Sequence, residues 1–227
     1  MILENIKNEK INLSQSEKFN KHAQTRHSYA SFLVQQLNGH GLKKFFDGKE
    51  NINALDLGGN IGLWTLYLAP ICKNITVVEP TPSHCEVAID LFNLFDKKKN
   101  ITLLKAAVSD LDGVKELNIG SVNSTMNSFY RHARDHSASV NVNTFKLKTY
   151  IKQSGLKIDF IKMDIEGSEQ QVILDSDFDS FIYENVENIY LEIHEGLGAN
   201  YQEIYNKLKE LNYNLEKIGN DTLYAFK

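Results

Sequence analysis

The chain has 227 residues, of which 42% are hydrophobic and 24% charged, enough for one well-buried globular core. Its formal net charge is −4, with acids and bases interspersed, which excludes the basic surface typical of nucleic-acid-binding proteins. No apolar run approaches the roughly 18 residues of a membrane span, and the polar N-terminus does not resemble a signal peptide. Cys72 and Cys85 lack metal-ligand spacing, so we expect reduced thiols in a soluble, cytoplasmic protein.

Residues 1–50 are predicted to form an N-terminal arm and a helical cap. The first part is polar, and we expect a loosely held arm or short helix there. From Gln24 to Phe46 apolar side chains recur near helical spacing, with Asn38-Gly39 as the stop. The same segment carries polar groups that either close over a ligand or face solvent on the sheet edge: Arg26, His27 and Tyr29.

A glycine-rich turn follows the first strong strand signal of the chain. Ile52 to Leu57 is an apolar run of strand length, and Gly58-Gly59-Asn60-Ile61-Gly62 then leads into a helical apolar pattern. Strand, glycine-rich turn and helix is the arrangement by which open α/β sheets bind nucleotides. We expect residues 51–227 to form the catalytic part of a single structural domain built around this turn.

Strands and helices alternate along the rest of the chain. Buried strands are predicted at Ile75–Val78, Ile101–Leu104, Ile158–Met163 and Ile189–Ile193, with helical patterns between most of them. The last two strand runs are joined by a link too short for a parallel crossover, which predicts a C-terminal antiparallel hairpin. The pattern therefore predicts an α/β fold with a doubly wound, mostly parallel sheet.

Residues 120–139 read as a long irregular loop, of the kind that often forms a substrate wall. His132 and His136, with Arg131 and Arg134 nearby, either bind an anionic substrate or face solvent. The basic run Lys97–Lys99 is interpreted as a solvated loop.

Polar residues stand where the predicted parallel strands end, and ligands of doubly wound sheets bind at that edge. Glu79 ends the second strand, where a carboxylate can accept hydrogen bonds from the hydroxyls of an adenosine ribose. The turn does not fit G-x-G-x-x-G, because Asn60 and Leu63 stand at the second and third glycine positions. Those glycines serve a pyrophosphate, so their loss favours S-adenosyl-L-methionine (SAM) over NAD.

Four blocks of sequence resemble the FkbM family of SAM-dependent methyltransferases: Asp56–Gly62, Val78–Pro80, Lys105–Asp110 and Phe160–Glu169. The resemblance implies a seven-stranded Rossmann-like sheet and O-methylation of hydroxyl groups on sugars, polyketides or similar metabolites. One position departs from the family pattern, since Thr149-Tyr150 stands where Leu-Asp is usual.

The resemblance also implies roles for individual residues. Gly58 and Asn60 would contact the methionine end of SAM, Glu79 the ribose, and Ala107 and Val108 the adenine. Asp164 would face the amino group of the methionine or the substrate. The predicted cofactor site is completed by neighbours in these blocks: Asp56, Gly59, Gly62 and Pro80.

Methylation of a hydroxyl requires removal of its proton. His194 is the first candidate base, with Asp164 or Glu166 orienting it or accepting the proton directly; a structural histidine is the alternative. Glu169 is interpreted as a first-turn acid favoured by the helix dipole. A divalent metal held by Asp164, Glu192 and His194 is a further alternative.

The sequence thus predicts a SAM-dependent O-methyltransferase that acts on a small-molecule or carbohydrate acceptor. Two competing hypotheses remain: an NAD-dependent oxidoreductase, and a non-catalytic binding module that keeps the methyltransferase fold. Partners other than the acceptor, namely nucleic acid and membrane, are not expected.

Overall fold

The computed structural model describes residues 1–38, 43–120, 127–130 and 136–227. Within these ranges, side chains are described except at positions 25–30, 32, 33, 36, 38, 136, 137, 177 and 180. Several side chains that the sequence offered as ligand-binding groups therefore lie outside the described residues: those of Arg26, His27, Tyr29, Arg131, His132, Arg134 and His136.

The helices and strands follow one another along the chain as β1 (Ile2–Glu4), β2 (Lys10–Asn12), α1 (Glu17–Asn38), β3 (Ile52–Leu57), α2 (Leu63–Leu68), β4 (Cys72–Val78), α3 (Pro82–Phe95), β5 (Ile101–Leu104), β6 (Ala107–Val108), β7 (Gly113–Gly120), β8 (His136–Phe145), α4 (Leu147–Ser154), β9 (Phe160–Met163), α5 (Glu169–Ile173), α6 (Ser180–Asn185), β10 (Asn188–Glu192), α7 (Tyr201–Glu210), β11 (Asn214–Lys217) and β12 (Thr222–Phe226). Short 3-10 turns connect several of them.

A seven-stranded sheet forms the centre of the molecule, in the order β11-β12-β10-β9-β3-β4-β5. Neighbours from β10 to β5 pair in parallel, whereas β12 pairs antiparallel with both β10 and β11. The predicted doubly wound sheet and its C-terminal antiparallel hairpin are thereby confirmed. The carboxyl ends of β3, β4 and β9 lie side by side, which is where the sequence placed the ligand.

Each face of the sheet is covered by a separate apolar layer. One cluster joins side chains of α1, α2 and α3 to the sheet, with Trp64, Tyr67 and Leu91 among its buried members. The other joins α4, α6 and α7 to the opposite face, through residues such as Ile151, Ile182 and Leu208. Buried on both faces, the central strands carry near-continuous apolar runs. This packing fixes the strand ends that carry the polar side chains.

The N-terminal segment is more ordered than the expected arm. β1 and β2 form an antiparallel hairpin, and Leu3 and Leu13 are fully buried in the same cluster as Trp64. α1 begins earlier than predicted, at Glu17, because the Ser16 hydroxyl oxygen accepts a hydrogen bond from the backbone N–H of Phe19 (2.9 Å).

A second, three-stranded sheet follows β5, in the order β6-β8-β7. The sequence pattern predicted strands here but not a separate sheet, because periodicity shows no pairing partner. Part of the predicted loop at 120–139 is bridged to this sheet, since Ser128 pairs with Asn118. Within the described residues, no helix has the length and hydropathy that crossing a membrane requires.

Candidate active site

A cavity opens at the carboxyl edge of the seven-stranded sheet, between the ends of β3, β4 and β9 and the second sheet. Its walls combine carboxylates with small and apolar side chains. The described residues that line it are Gly58, Asn60, Val78, Glu79, Pro80, Thr81, His84, Ala107, Val108, Leu117, Asn127, Ser128, Phe129, Asp164, Ile165 and Glu166.

The glycine-rich turn is packed against its neighbours more tightly than any side chain would allow. Gly58 has a φ of +75°, and a Cβ built there would lie 1.7 Å from the backbone oxygen of Asp164. Gly62 has a φ of +81°, and its Cβ would lie 2.4 Å from Cζ of Phe92. These two glycines therefore serve the contact of the turn with β9 and α3.

Glu79 is a buried carboxylate that is held by its surroundings. Oε2 accepts a hydrogen bond from the backbone N–H of Asn60 (2.8 Å). Oε1 accepts one from the backbone N–H of Thr81 (2.8 Å) and lies 3.3 Å from Nδ1 of His84. Burial acts to raise the pKa of Glu79, but the bonds from His84 and Thr81 outweigh it and lower that pKa. Glu79 is thus kept ionised beside the turn.

Asp56 lies beneath the turn, outside the cavity lining. One of its oxygens accepts a hydrogen bond from the Thr65 hydroxyl (2.6 Å), and the other lies 3.5 Å from Nζ of Lys162. Lys162, only 4% exposed, donates to the backbone oxygen of Gly58 (2.7 Å) and lies 3.3 Å from Asp164. Asp56 is not among the described residues that line the cavity, and its contacts instead stabilise the glycine-rich turn through Lys162. Direct contact of Asp56 with the cofactor therefore stays a prediction.

A second polar cluster lies beside the cavity, where four acidic side chains surround His194. The Nδ1 atom of its ring lies 2.9 Å from Glu169, and Nε2 lies 3.5 Å from Glu166, 3.8 Å from Asp164 and 3.9 Å from Glu192. The predicted proximity of Asp164, Glu166 and His194 is therefore present in the structure. It arises because β9 and β10 are adjacent parallel strands.

In this cluster the pKa values of Glu166, Glu192 and His194 are raised above their ordinary values. Burial, followed by the charge of Asp164, raises the pKa of Glu166 to about 8, and the same causes raise that of Glu192 to about 7. Burial acts to lower the pKa of His194, but the hydrogen bond and charge of Glu169 overcome it and raise that pKa to about 9. At neutral pH His194 is consequently an imidazolium rather than a free base.

The donor atoms of Asp164, Glu166 and His194 lie within 4.8 Å of one another, close enough to share a cation. Glu192, which the sequence-based alternative included, is replaced in this group by Glu166. We assign no metal ligands.

Most of the sequence-predicted site residues meet at the cavity. Those that line it are Gly58, Asn60, Glu79, Pro80, Ala107, Val108, Asp164 and Glu166. His194 stands behind Asp164 and Glu166, while Asp56, Gly59 and Gly62 are absent from the described lining. Thr149 and Tyr150, the departure from the family pattern, bond to Asp112 and Thr76 and do not line the cavity.

One wall of the cavity is formed by Asn127, Ser128 and Phe129, which lie in the segment 120–139 that the sequence predicted as a substrate wall without assigning these contacts. Asn127 donates to the Thr81 hydroxyl (2.9 Å), and Ser128 donates to the backbone oxygen of Glu166 (2.5 Å), so this wall joins the ends of β4 and β9. No local pattern indicates these contacts. Lys162 was also missed, although a charge inside an apolar strand run is a signal that something must pair with it.

The seven-stranded sheet, its antiparallel β12 and the cavity at its carboxyl edge define a Rossmann-like protein of the nucleotide-cofactor class. A family model described as "Methyltransferase FkbM domain" matches residues 56–215, and the chain therefore belongs to the FkbM methyltransferase family. The resemblance noted in the sequence is confirmed, and SAM is the methyl donor of this class of enzyme.

Solved structures match this chain at low sequence identity. The FkbM methyltransferase of Methylobacillus flagellatus is 14% identical, with a TM-score of 0.53 over 92% of this chain and 58% of that chain. A precorrin-6y C5,15-methyltransferase from Geobacter metallireducens is 11% identical, with a TM-score of 0.48 over 79% of this chain and 82% of that one. A comparison with curated proteins finds no match.

Proposed function

We propose that the protein transfers a methyl group from SAM to a hydroxyl group of a small-molecule or carbohydrate acceptor. One observation carries this proposal. The cavity lining includes two polar groups: Glu79, whose pKa is lowered, and the pair of Asp164 and Glu166, which His194 contacts and in which the pKa of Glu166 is raised to about 8. The first suits a ribose and the second suits removal of a proton from an acceptor.

The residues present fit SAM. The three hydrogen-bond partners of Glu79 leave acceptor capacity on the oxygen that bonds only Asn60, which suits a ribose hydroxyl. Ala107 and Val108 offer an apolar wall for the adenine, and the carboxylate of Asp164 suits the amino group of the methionine. Bound SAM would supply a methyl group made electrophilic by its sulfonium.

The cavity is poorly suited to NAD, the competing cofactor. Three carboxylates belong to its walls, those of Glu79, Asp164 and Glu166, and no lysine or arginine is among its described lining residues. A pyrophosphate there would face the ionised Glu79 without a compensating side chain. The altered glycine pattern of the turn supports the same choice.

We propose that Glu166 and His194 act together on the acceptor proton. Glu166 lines the cavity, whereas His194 reaches it through the contacts of Nε2 with Glu166 and Asp164. With pKa values of about 8 and 9, both groups gain their basic forms as the pH rises above neutrality. Methyl transfer is accordingly expected to accelerate between pH 7 and 9.

Calorimetric titration with S-adenosylhomocysteine, with NAD as the control ligand, tests the cofactor assignment. We expect micromolar binding of the first and none of the second. Binding of neither would favour a non-catalytic module that keeps the fold, and binding of NAD alone would favour an oxidoreductase. A screen of sugar and phenolic hydroxyl acceptors, read by transfer of labelled methyl, then tests O-methylation.

We propose that residues 1–50 fold with residues 51–227 as one structural domain. The support is that Leu3, Leu13 and Phe19 belong to the apolar cluster that also contains Trp64. Removal of residues 1–50 is expected to expose that cluster and abolish cooperative thermal unfolding; a sharp transition in the shortened chain would contradict the proposal.

We also propose a cytoplasmic location. Both cysteines, Cys72 and Cys85, are buried free thiols, which a reducing compartment maintains. Fractionation of cells that express the tagged protein tests this location.

A further inference from the structure

Glu169 is a fully buried carboxylate whose contacts all lie outside the helix that it begins. One oxygen accepts hydrogen bonds from the backbone N–H groups of Ile165 (3.0 Å) and Gly167 (3.2 Å), and it lies 2.9 Å from Nδ1 of His194. The other oxygen also accepts from Gly167, at 3.0 Å. These bonds tie together the turn after β9 and the residue that follows β10.

This arrangement differs from the first-turn acid that the sequence suggested. An acid favoured by the helix dipole needs only to lie near the first N–H groups of its own helix. Glu169 instead bonds the turn before the helix and a side chain on the neighbouring strand end. A buried charge persists only where hydrogen bonds compensate it, so these contacts define its place in the fold.

The bond to Nδ1 determines how the His194 ring faces the cavity. With Nδ1–H donated to Glu169, Nε2 is directed at Glu166 and Asp164, 3.5 and 3.8 Å away. The two bonds to Gly167 hold the same turn that carries Glu166, whose φ is +52°. One carboxylate therefore sets both members of the proposed proton-accepting pair.

We infer that Glu169 is a positioning residue for acceptor deprotonation: it fixes the orientation and tautomer of His194 and holds the turn that presents Glu166. The inference rests on the proposed function, because it assigns Glu169 a task within the same site. Glu169 itself does not line the cavity and acts through His194.

The charges that face His194 come from three elements: Asp164 and Glu166 from the turn after β9, Glu169 from α5, and Glu192 from β10. Of these, Glu169 makes the hydrogen bond to the ring and has the largest upward effect on the pKa of His194. Removal of this charge alone should therefore change the titration of His194 while the other three carboxylates remain.

The test is an NMR pH titration of the His194 ring in Glu169→Gln, with Glu195→Gln as the matched control. The Gln amide keeps an oxygen for the turn N–H groups but removes the charge beside Nδ1. Glu195 is next to His194 in sequence, is exposed and bonds the backbone of Tyr201, so its change removes an equal charge without touching the ring. We expect the pKa of His194, about 9 in the wild-type protein, to fall in Glu169→Gln and to stay near 9 in the control.

An unchanged pKa in Glu169→Gln, or an equal fall in both variants, would overturn the inference. If Glu169→Gln does not fold, the wild-type protein answers the question. A slowly exchanging Nδ1–H proton on His194 supports the inference, and a ring protonated only at Nε2 overturns it.

Kinetics separate positioning from a structural role. In Glu169→Gln the pH profile of methyl transfer should move to lower pH with kcat reduced about 10-fold or more, while the affinity for S-adenosylhomocysteine stays within about 3-fold. Loss of affinity with an unmoved profile would overturn the inference. Because the NMR measurements need no cofactor, failure of wild type to bind S-adenosylhomocysteine would sink the proposed function and not these results.

Discussion

Two glutamates beyond the carboxyl ends of parallel strands in the same sheet have pKa values that are shifted in opposite directions. Glu79 follows β4, and burial acts to raise its pKa, but the hydrogen bonds from His84 and Thr81 outweigh burial and keep that pKa below the ordinary value. Glu166 follows β9 beside Asp164, and its Oε2 atom has no hydrogen-bond partner among the described residues. Burial and that neighbouring charge raise the pKa of Glu166 to about 8.

The comparison teaches that a carboxylate at a strand end can serve as a fixed acceptor or as a proton carrier. Hydrogen-bond donors that are already in place stabilise the charged form, whereas like charges favour the protonated form. Such a separation of pKa values within one cavity is typical of sites that combine binding with acid–base chemistry. In the proposed function, Glu79 binds the cofactor, and Glu166 with His194 takes the acceptor proton.

The largest expected effect comes from Gly58→Ala, which disrupts the contact between the glycine-rich turn and the backbone of Asp164. Its Cβ would collide with the backbone oxygen of Asp164. We expect a loss of about 3 kcal/mol or more of stability and a melting temperature lower by about 6 °C or more. Gly155→Ala is the control, because that glycine also has positive φ but nothing lies within 4 Å of its Cβ. Its cost should be only about 1 kcal/mol. Equal melting temperatures for the two variants would contradict the close contact.

His194→Ala should slow methyl transfer without weakening cofactor binding. We expect kcat to fall about 100-fold or more because Nε2 is lost from the side of Glu166. The dissociation constant for S-adenosylhomocysteine should change by less than about 3-fold, since His194 does not line the cavity. Full turnover with an acceptor found in the screen would remove His194 from the mechanism.

Glu79→Ala should weaken cofactor binding. It removes the proposed ribose acceptor and leaves the N–H groups of Asn60 and Thr81 without their partner. We expect the dissociation constant for S-adenosylhomocysteine to rise about 10- to 100-fold. Glu86→Ala, an exposed change on α3, should bind as wild type does. Similar affinity in both variants would place the ribose elsewhere.

The smallest effect is on the pH dependence of stability, and it arises in the cluster of Glu166 and His194. Both groups have folded-state pKa values above their ordinary ones, about 8 against 4.5 and about 9 against 6.5. Their stabilising effect is therefore complete at low pH and is lost as the pH rises towards 9. We expect the melting temperature to fall between pH 6 and 9. Glu166→Gln should flatten this fall, and a melting temperature that rises over this range would refute the assignment.

The order of strands and the residues at their ends were predictable from the sequence. Ile52–Leu57 and Ile101–Leu104 have the bounds that their patterns predicted, because apolar runs of strand length bounded by turn residues are local signals. Glu79, Asp164 and Glu166 were found for the same reason, as the polar residues that directly follow such runs.

Tertiary structure decided what each polar side chain touches. Glu169 meets His194 25 positions away, and Lys162 lies 104 positions from Gly58, whose oxygen it binds. The second sheet and the wall at Ser128 likewise depend on pairing between distant segments. A pKa depends on burial and on neighbouring charges, so the burial that tertiary packing imposes, together with His84 beside Glu79 and Asp164 beside Glu166, separates the two glutamates.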